Sequence, residues 1–161
     1  RLFMSMQGEV NENSIGGMEG MAAPEISMKD LDGNDFNLKD RNGKYTFIAF
    51  WGTWCGPCKA DHPNLKRLYG EYKSNSNIEF IGVAWDKSAD SVKNYLLKEE
   101  MNWRNLFANM NNRQSKGEQS IVDRYEVRAF PTYFLIDASG KIIVKTNDLS
   151  AVEGKVRADV K

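Results

Sequence analysis

The sequence predicts one α/β domain, on three observations. Two continuous apolar runs, Y45-T-F-I-A-F-W51 and I78-E-F-I-G-V-A-W85, each precede a stretch with helical spacing of apolar residues. A later pair of short strands, F130-P-T-Y-F-L-I-D137 and K141-I-I-V-K-T146, is joined by the turn A138-S-G140. Strand, helix, strand, helix order predicts a βαβ unit with parallel pairing, and the short connection predicts an antiparallel hairpin. A chain of 161 residues is the size of an ordinary domain and can bury a core without disulfides or metal.

Residues 1–22, RLFMSMQGEVNENSIGGMEGMA, show no sustained period and read as a linker or mobile N-terminal arm, with the domain proper at 23–161. Met18 and Met21 lie among glycines with no His or Cys near them to complete a soft-metal site. From Pro24, EISMKD and FNLKD flank L31-D-G-N-D35, a short hairpin turning at Asp32-Gly33. The run 45–51 fits a strand buried on both faces. Leu65, Leu68, Tyr69 and Tyr72 form one helical stripe, which places a helix from Cys55 to about Lys73. The run 78–85 is the second buried strand, and Val92, Tyr95 and Leu96 mark a helix ending near Glu100. N109-M-N-N-R-Q-S-K-G117 reads as a polar surface loop before a short helix carrying Ile121, Val122 and Tyr125. Leu149, Val152, Val156 and Val160 close the chain as a helix, with Ser150 and Glu153 as its capping box.

Twenty-two basic residues balance twenty-two acidic ones without a basic block, so nothing marks a nucleic-acid or membrane-surface binder. No apolar run approaches the roughly 20 residues of a membrane span, and no signal-peptide pattern opens the chain. The chain starts at Arg1 rather than Met, which reads as a fragment or processed form; membrane anchoring is expected only through a removed N-terminal segment.

Both cysteines lie in F50-W-G-T-W-C-G-P-C-K-A-D-H-P63. At a helix start, Cys55 and Cys58 are one turn apart, and their sulfurs can bond. So short a loop makes a poor staple. Two thiols and the single histidine, His62, fall short of the four ligands of a structural zinc site, which leaves a copper-type carrier as the nearest metal alternative. A redox couple has a mechanism. Unpaired backbone N–H groups and the positive end of the helix dipole stabilise a thiolate at Cys55, the expected nucleophile, while Cys58, deeper in the helix, keeps its proton until it attacks the mixed disulfide.

The W54-C-G-P-C58 core, the strand ending F50-W51, Pro63, and Pro131 in F130-P-T132 resemble the thioredoxin superfamily over residues 23–161. A22-A-P-E25, G52-T-W-C55 and L135-I-D137-A-S-G-K141 resemble more specifically its TlpA/ResA branch of extracytoplasmic thiol-disulfide oxidoreductases, which stands near the redoxins. The resemblance implies a thioredoxin-like three-layer α/β/α sandwich with a mixed central sheet and an N-terminal β-hairpin extension. It implies a cis Phe130–Pro131 bond, with the backbone before Pro131 pairing with substrate. Trp54, Gly56, Pro57, Phe130 and Pro131 are the expected substrate-contacting residues. Trp54 shields the disulfide, while Trp51 belongs to the core. The implied activity is reduction of disulfide-containing protein substrates in the periplasm or cell envelope, fed by a membrane electron-donor protein and directed to cytochrome c maturation or general disulfide reduction. No cofactor or metal is expected. The Gly-Pro spacer matches thioredoxin, whose couple lies at about −270 mV, on the reducing side of this fold's strong oxidants.

Two positions depart from thioredoxin. Its buried Asp and Lys correspond to Ala49 and Gly82 here, so the usual buried proton acceptor is missing. Asp61 falls where ResA-like proteins carry a functional glutamate, three residues beyond Cys58 and on the same side of the helix. A carboxylate there can take the Cys58 proton; the plainer alternative is a solvated Asp favoured by the helix dipole. His62 reads as a surface helix residue, with a proton relay as the alternative. Peroxide reduction is a second enzymatic reading, although the proline and threonine that peroxiredoxins place ahead of their reactive cysteine are not in position around G52-T-W-C55. A metal carrier or interaction domain of a larger protein is the non-enzymatic one.

Overall fold

The structure, a computed structural model, describes residues 18–111 and 120–161. Two short strands, β1 (Ser27–Lys29) and β2 (Asp35–Asn37), pair antiparallel, and a 3-10 turn follows at Leu38–Arg41. Gly33 sits at φ +87 in the connecting turn, where a side chain would be strained. The main sheet holds β3 (Tyr45–Trp51), β4 (Ile78–Asp86), β5 (Arg104–Asn109), β6 (Thr132–Ile136) and β7 (Ile142–Thr146) in the order β5-β4-β3-β6-β7. The β3–β4 and β4–β5 pairs are parallel, whereas β6 runs antiparallel to both β3 and β7.

Helices α1 (Gly56–Tyr72), α2 (Ala89–Lys98) and α4 (Leu149–Asp159) cover one face of this sheet. On that face Phe47, Ala49, Phe80, Tyr133 and Leu135 meet Leu65, Leu68, Val152 and Val156. The other face is covered by α3 (Ile121–Arg124) and the hairpin, where Ile48, Phe50, Ile81 and Phe134 meet Phe36, Ile26 and Ile121. Alternating residues of β3 therefore feed two separate cores, which is why its sequence is apolar throughout. The result is the expected three-layer arrangement with a mixed sheet and an added hairpin.

Several elements differ from expectation. Strand β5 has no counterpart in the sequence reading. Its run R104-N-L-F-A-N109 carries polar residues at three of six positions, yet Asn105 is buried. Helix α4 is capped by Asp148, whose side chain accepts from Ser150 N, so Ser150 sits inside the first turn rather than at the cap. The reason is local: an aspartate placed two residues earlier captures the same orphan N–H groups with a charged acceptor. Residues 18–22, read as part of the arm, pack on β7. Met18 is in the core, Gly20 N donates to Ile142 O, and Ala22 bridges Lys141. The remainder of the arm, and 112–117 of the expected loop, lie outside the described residues. Among the described residues no helix is long and apolar enough to cross a membrane.

Candidate active site

Strand β3 ends at Trp51, and the chain turns through Gly52-Thr53-Trp54 into α1. The turn is tied to the end of β4. Asp86, buried there, accepts from Thr53 N at 2.7 Å and from Lys87 N at 2.9 Å. Gly52 is obligatory by space: a Cβ there would overlap the Trp54 indole and the Trp85 carbonyl. Cys55 is the N-cap of α1, and Pro57 stands in the first turn, where a missing N–H costs nothing.

Cys55 and Cys58 form a disulfide with Cα atoms 5.3 Å apart. The backbone N–H of Cys58 donates to the Cys55 sulfur at 3.1 Å. The same donor would serve a Cys55 thiolate after reduction, so the helix start holds one of the orphan N–H groups on the Cys55 sulfur. Both residues are almost enclosed, Cys55 at 3 % exposure and Cys58 at 1 %. Gly56 and Pro57 between them are exposed.

A rim of three aromatic rings flanks the disulfide. Trp54 is 47 % exposed and donates from Nε1 to Trp85 O; its ring meets Trp85 and Phe130 edge-on at 5.8 and 5.4 Å, and Trp85 stacks on Phe130 at 5.2 Å. The Phe130–Pro131 bond is cis. Asn147 Nδ2 donates to Pro131 O at 2.8 Å, and Thr132 Oγ1 donates to Ala129 O at 2.6 Å, so side chains hold both flanks of that loop.

Asp61 and His62 separate onto two sides of α1. Asp61 is half-buried and accepts from the Tyr133 hydroxyl at Oδ2, 2.7 Å away. It is therefore not the freely solvated first-turn aspartate of the plainer reading. His62 is a correction, because it is buried rather than exposed. Its Nδ1 lies 2.8 Å from the Tyr95 hydroxyl, and its ring stands edge-on to Trp51 at 5.2 Å. Burial, reinforced by Lys59 and Lys66, pulls its pKa from 6.5 down to about 4, so the ring is neutral at physiological pH.

The Ala49 and Gly82 positions, paired across β3 and β4, are filled from neighbouring strands. Asn105 of β5 lies against Gly82, where any Cβ would overlap its amide oxygen, and that oxygen accepts from Trp51 Nε1 at 2.8 Å. Trp51 is thereby fixed in the core beneath the cysteines. Sequence reasoning missed Asp86, Asn105, Tyr133, Asn147 and Trp85. Each acts through a partner far away in the chain. The one local hint was an isolated polar residue at the end or inside of an apolar strand, as at Asp86 and Asn105.

The Redoxin family profile matches residues 18–157. Thiol-disulfide oxidoreductase ResA of a Bacillus cereus strain is 36% identical over 126 residues, covering 78% of this chain and 68% of the relative. ResA of Bacillus subtilis (strain 168) is 32% identical over 125 residues, covering 78% and 65%. The chain thus spans about two thirds of the length of these relatives. Among solved structures, the thioredoxin domain of a thiol-disulfide oxidoreductase from Bacteroides vulgatus superposes with a TM-score of 0.77 at 26% identity, covering 91% of this chain and 100% of that one. A thiol:disulfide interchange protein from a Bacteroides species gives 0.73 at 27%, covering 88% and 90%. With a disulfide at the head of α1, a cis proline on the adjoining loop and these likenesses, the chain belongs to the redoxin family, within the ResA-like thiol-disulfide oxidoreductases of the thioredoxin superfamily.

Proposed function

We propose that this protein reduces disulfides of partner proteins outside the cytoplasm, taking its electrons from a membrane dithiol protein, with cytochrome c maturation or general disulfide reduction as the process served. The carrying observation is the Cys55–Cys58 disulfide at the first turn of α1, with the Cys58 N–H on the Cys55 sulfur. The reducing direction is supported by the Gly56-Pro57 spacer shared with thioredoxin. The extracytoplasmic setting is supported by the likeness to ResA.

In the reduced protein the Cys55 thiolate attacks one sulfur of the substrate disulfide. A Cys55–substrate mixed disulfide forms, and the other substrate sulfur leaves as a thiolate that takes up a proton. Cys58 then gives its proton to a base and attacks the Cys55 sulfur. The Cys55–Cys58 bond forms, the second substrate sulfur leaves and is protonated, and two electrons have passed to the substrate. The exposed face of Trp54, with Trp85 and Phe130 behind it, is the apolar contact for the partner, and the backbone ahead of Pro131 is the edge with which its chain pairs. Asp61, on the Cys58 side of the helix, is the base.

Capture with Cys58→Ala tests the function. The variant should accumulate mixed disulfides on Cys55 with extracytoplasmic proteins, and recovery of none beyond the Cys55→Ala control would count against it. Stopped-flow reduction of a disulfide peptide tests the base. Asp61→Asn should slow resolution of the mixed disulfide by about 10-fold or more, with the first attack unchanged.

A further inference from the structure

Resting on that reading of Asp61, we propose that Tyr133 is its positioning residue: it holds the carboxylate by Oδ2 and leaves Oδ1 directed to the Cys58 proton. Tyr133 lies opposite Ala49 in the β3–β6 register, so the two side chains emerge on the same face of the sheet, toward α1. Ala49 is small, and the tyrosine ring extends over the strand position from which thioredoxin projects its own carboxylate. Its hydroxyl ends 2.7 Å from Asp61 Oδ2. In effect the acid has moved from strand to helix, and a tyrosine from the next strand spans the gap.

Tyr133 serves as a donor only. It is 1 % exposed, and burial first, then the bond to Asp61, raise its pKa far above the ordinary phenol value. It therefore stays protonated through the cycle and cannot accept the Cys58 proton itself. With Oδ2 occupied, the proton leaving Cys58 goes to Oδ1. The neutral Asp61 still accepts from Tyr133 through Oδ2, so the hydrogen bond persists across the transfer while Cys58 forms its bond to Cys55 and the substrate thiolate departs.

A route out also exists. Asp61 borders a polar cleft of about 350 Å³ between α1 and the start of α4, lined by Asn64, Arg67, Asn147, Asp148 and Glu153. The charged groups that share this cleft with Asp61 are Arg67 from its own helix, Asp148 at the cap of α4 and Glu153 within α4, and Tyr133 of β6 bonds to it directly. A merely structural tyrosine would satisfy its hydroxyl on Asp61 without any effect on the timing of thiol exchange.

The test is a double-mutant cycle by stopped flow with a disulfide peptide, its pH profile followed from about pH 9 down through the low-pH inflection of the second step. Tyr133→Phe keeps the ring in its slot. It should slow the second step about threefold or more near neutral pH and move the low-pH inflection of that step upward by about one pH unit, because a carboxylate that loses a donor is a stronger base. Both effects should vanish in the Asp61→Asn background. If Tyr133→Phe changes neither rate nor inflection while Asp61→Asn alone slows resolution, the positioning role is overturned and the base stands. If Asp61→Asn leaves resolution unchanged, the base itself is overturned. Equal slowing by Tyr133→Phe with and without Asp61 assigns the tyrosine to packing alone and overturns the proposal. Should Tyr133→Phe not fold, 3-fluorotyrosine at position 133 supplies a stronger donor of nearly the same size. It should move the inflection downward, and an unmoved inflection overturns the proposal.

Discussion

Lowering the pH should destabilise this protein through one buried ring, His62. In the folded chain its pKa is pulled from 6.5 to about 4, chiefly by burial and further by Lys59 and Lys66. Above pH 6.5 the ring is neutral in both folded and unfolded chains, and it contributes no pH dependence. Below 6.5 the unfolded chain takes up a proton that the folded chain refuses, so stability falls with pH until the folded ring also titrates near 4. At about 1.4 kcal/mol per pH unit, the full loss across this window is on the order of 3 kcal/mol. For a domain of this size that is roughly 6 to 12 °C in melting temperature. The comparison is thermal and urea unfolding of the oxidised protein from pH 4 to 8, beside His62→Phe. Phenylalanine keeps an aromatic edge against Trp51 and leaves the half-buried Tyr95 hydroxyl for water. Carboxylates titrate in both proteins, so the difference curve isolates the histidine. Parallel curves for the two proteins between pH 4.5 and 7 would refute the reasoning.

Two further outcomes are expected. Cys55 in a Cys58→Ser background should alkylate with a midpoint below the free-thiol value of about 8.5, since the Cys58-position N–H and the start of α1 favour its thiolate; a midpoint at or above 8.5 removes the assignment of nucleophile. Gly82→Ala should cost about 1 to 3 kcal/mol, because its methyl group would overlap the Asn105 amide and break the bond to Trp51. Urea unfolding measures the cost, and a neutral result would show that Asn105 can yield without loss.

The legible parts of the molecule were those whose signal is local. Strand β3 declares itself because both its faces are buried, and α1 because its stripe and its cysteine cap lie within one short stretch. Strand β5 was illegible because Asn105 looks like a loop residue until Trp51, 54 positions earlier, is seen donating to it. His62 was misread for the same reason: its polarity suggests solvent, and only Tyr95, 33 residues on, makes burial tolerable. Asp61 is singled out by its spacing from Cys58, but its hydrogen bond from Tyr133 depends on the register of two strands far apart in sequence.

The segment before the hairpin has a consequence for the two open borders of the sheet. A bare sheet margin invites extended polypeptide to add as an extra strand. Here Gly20 and Ala23 donate to Ile142 O and Gly140 O, and Ala22 pairs with Lys141, along one margin of the sheet. At the opposite margin Asp30 bridges Leu106, and Leu31 N donates to Asn105 O. One stretch of chain, 18–31, thus occupies both borders by running from β7 to β5, so that neither margin is left bare along its whole length.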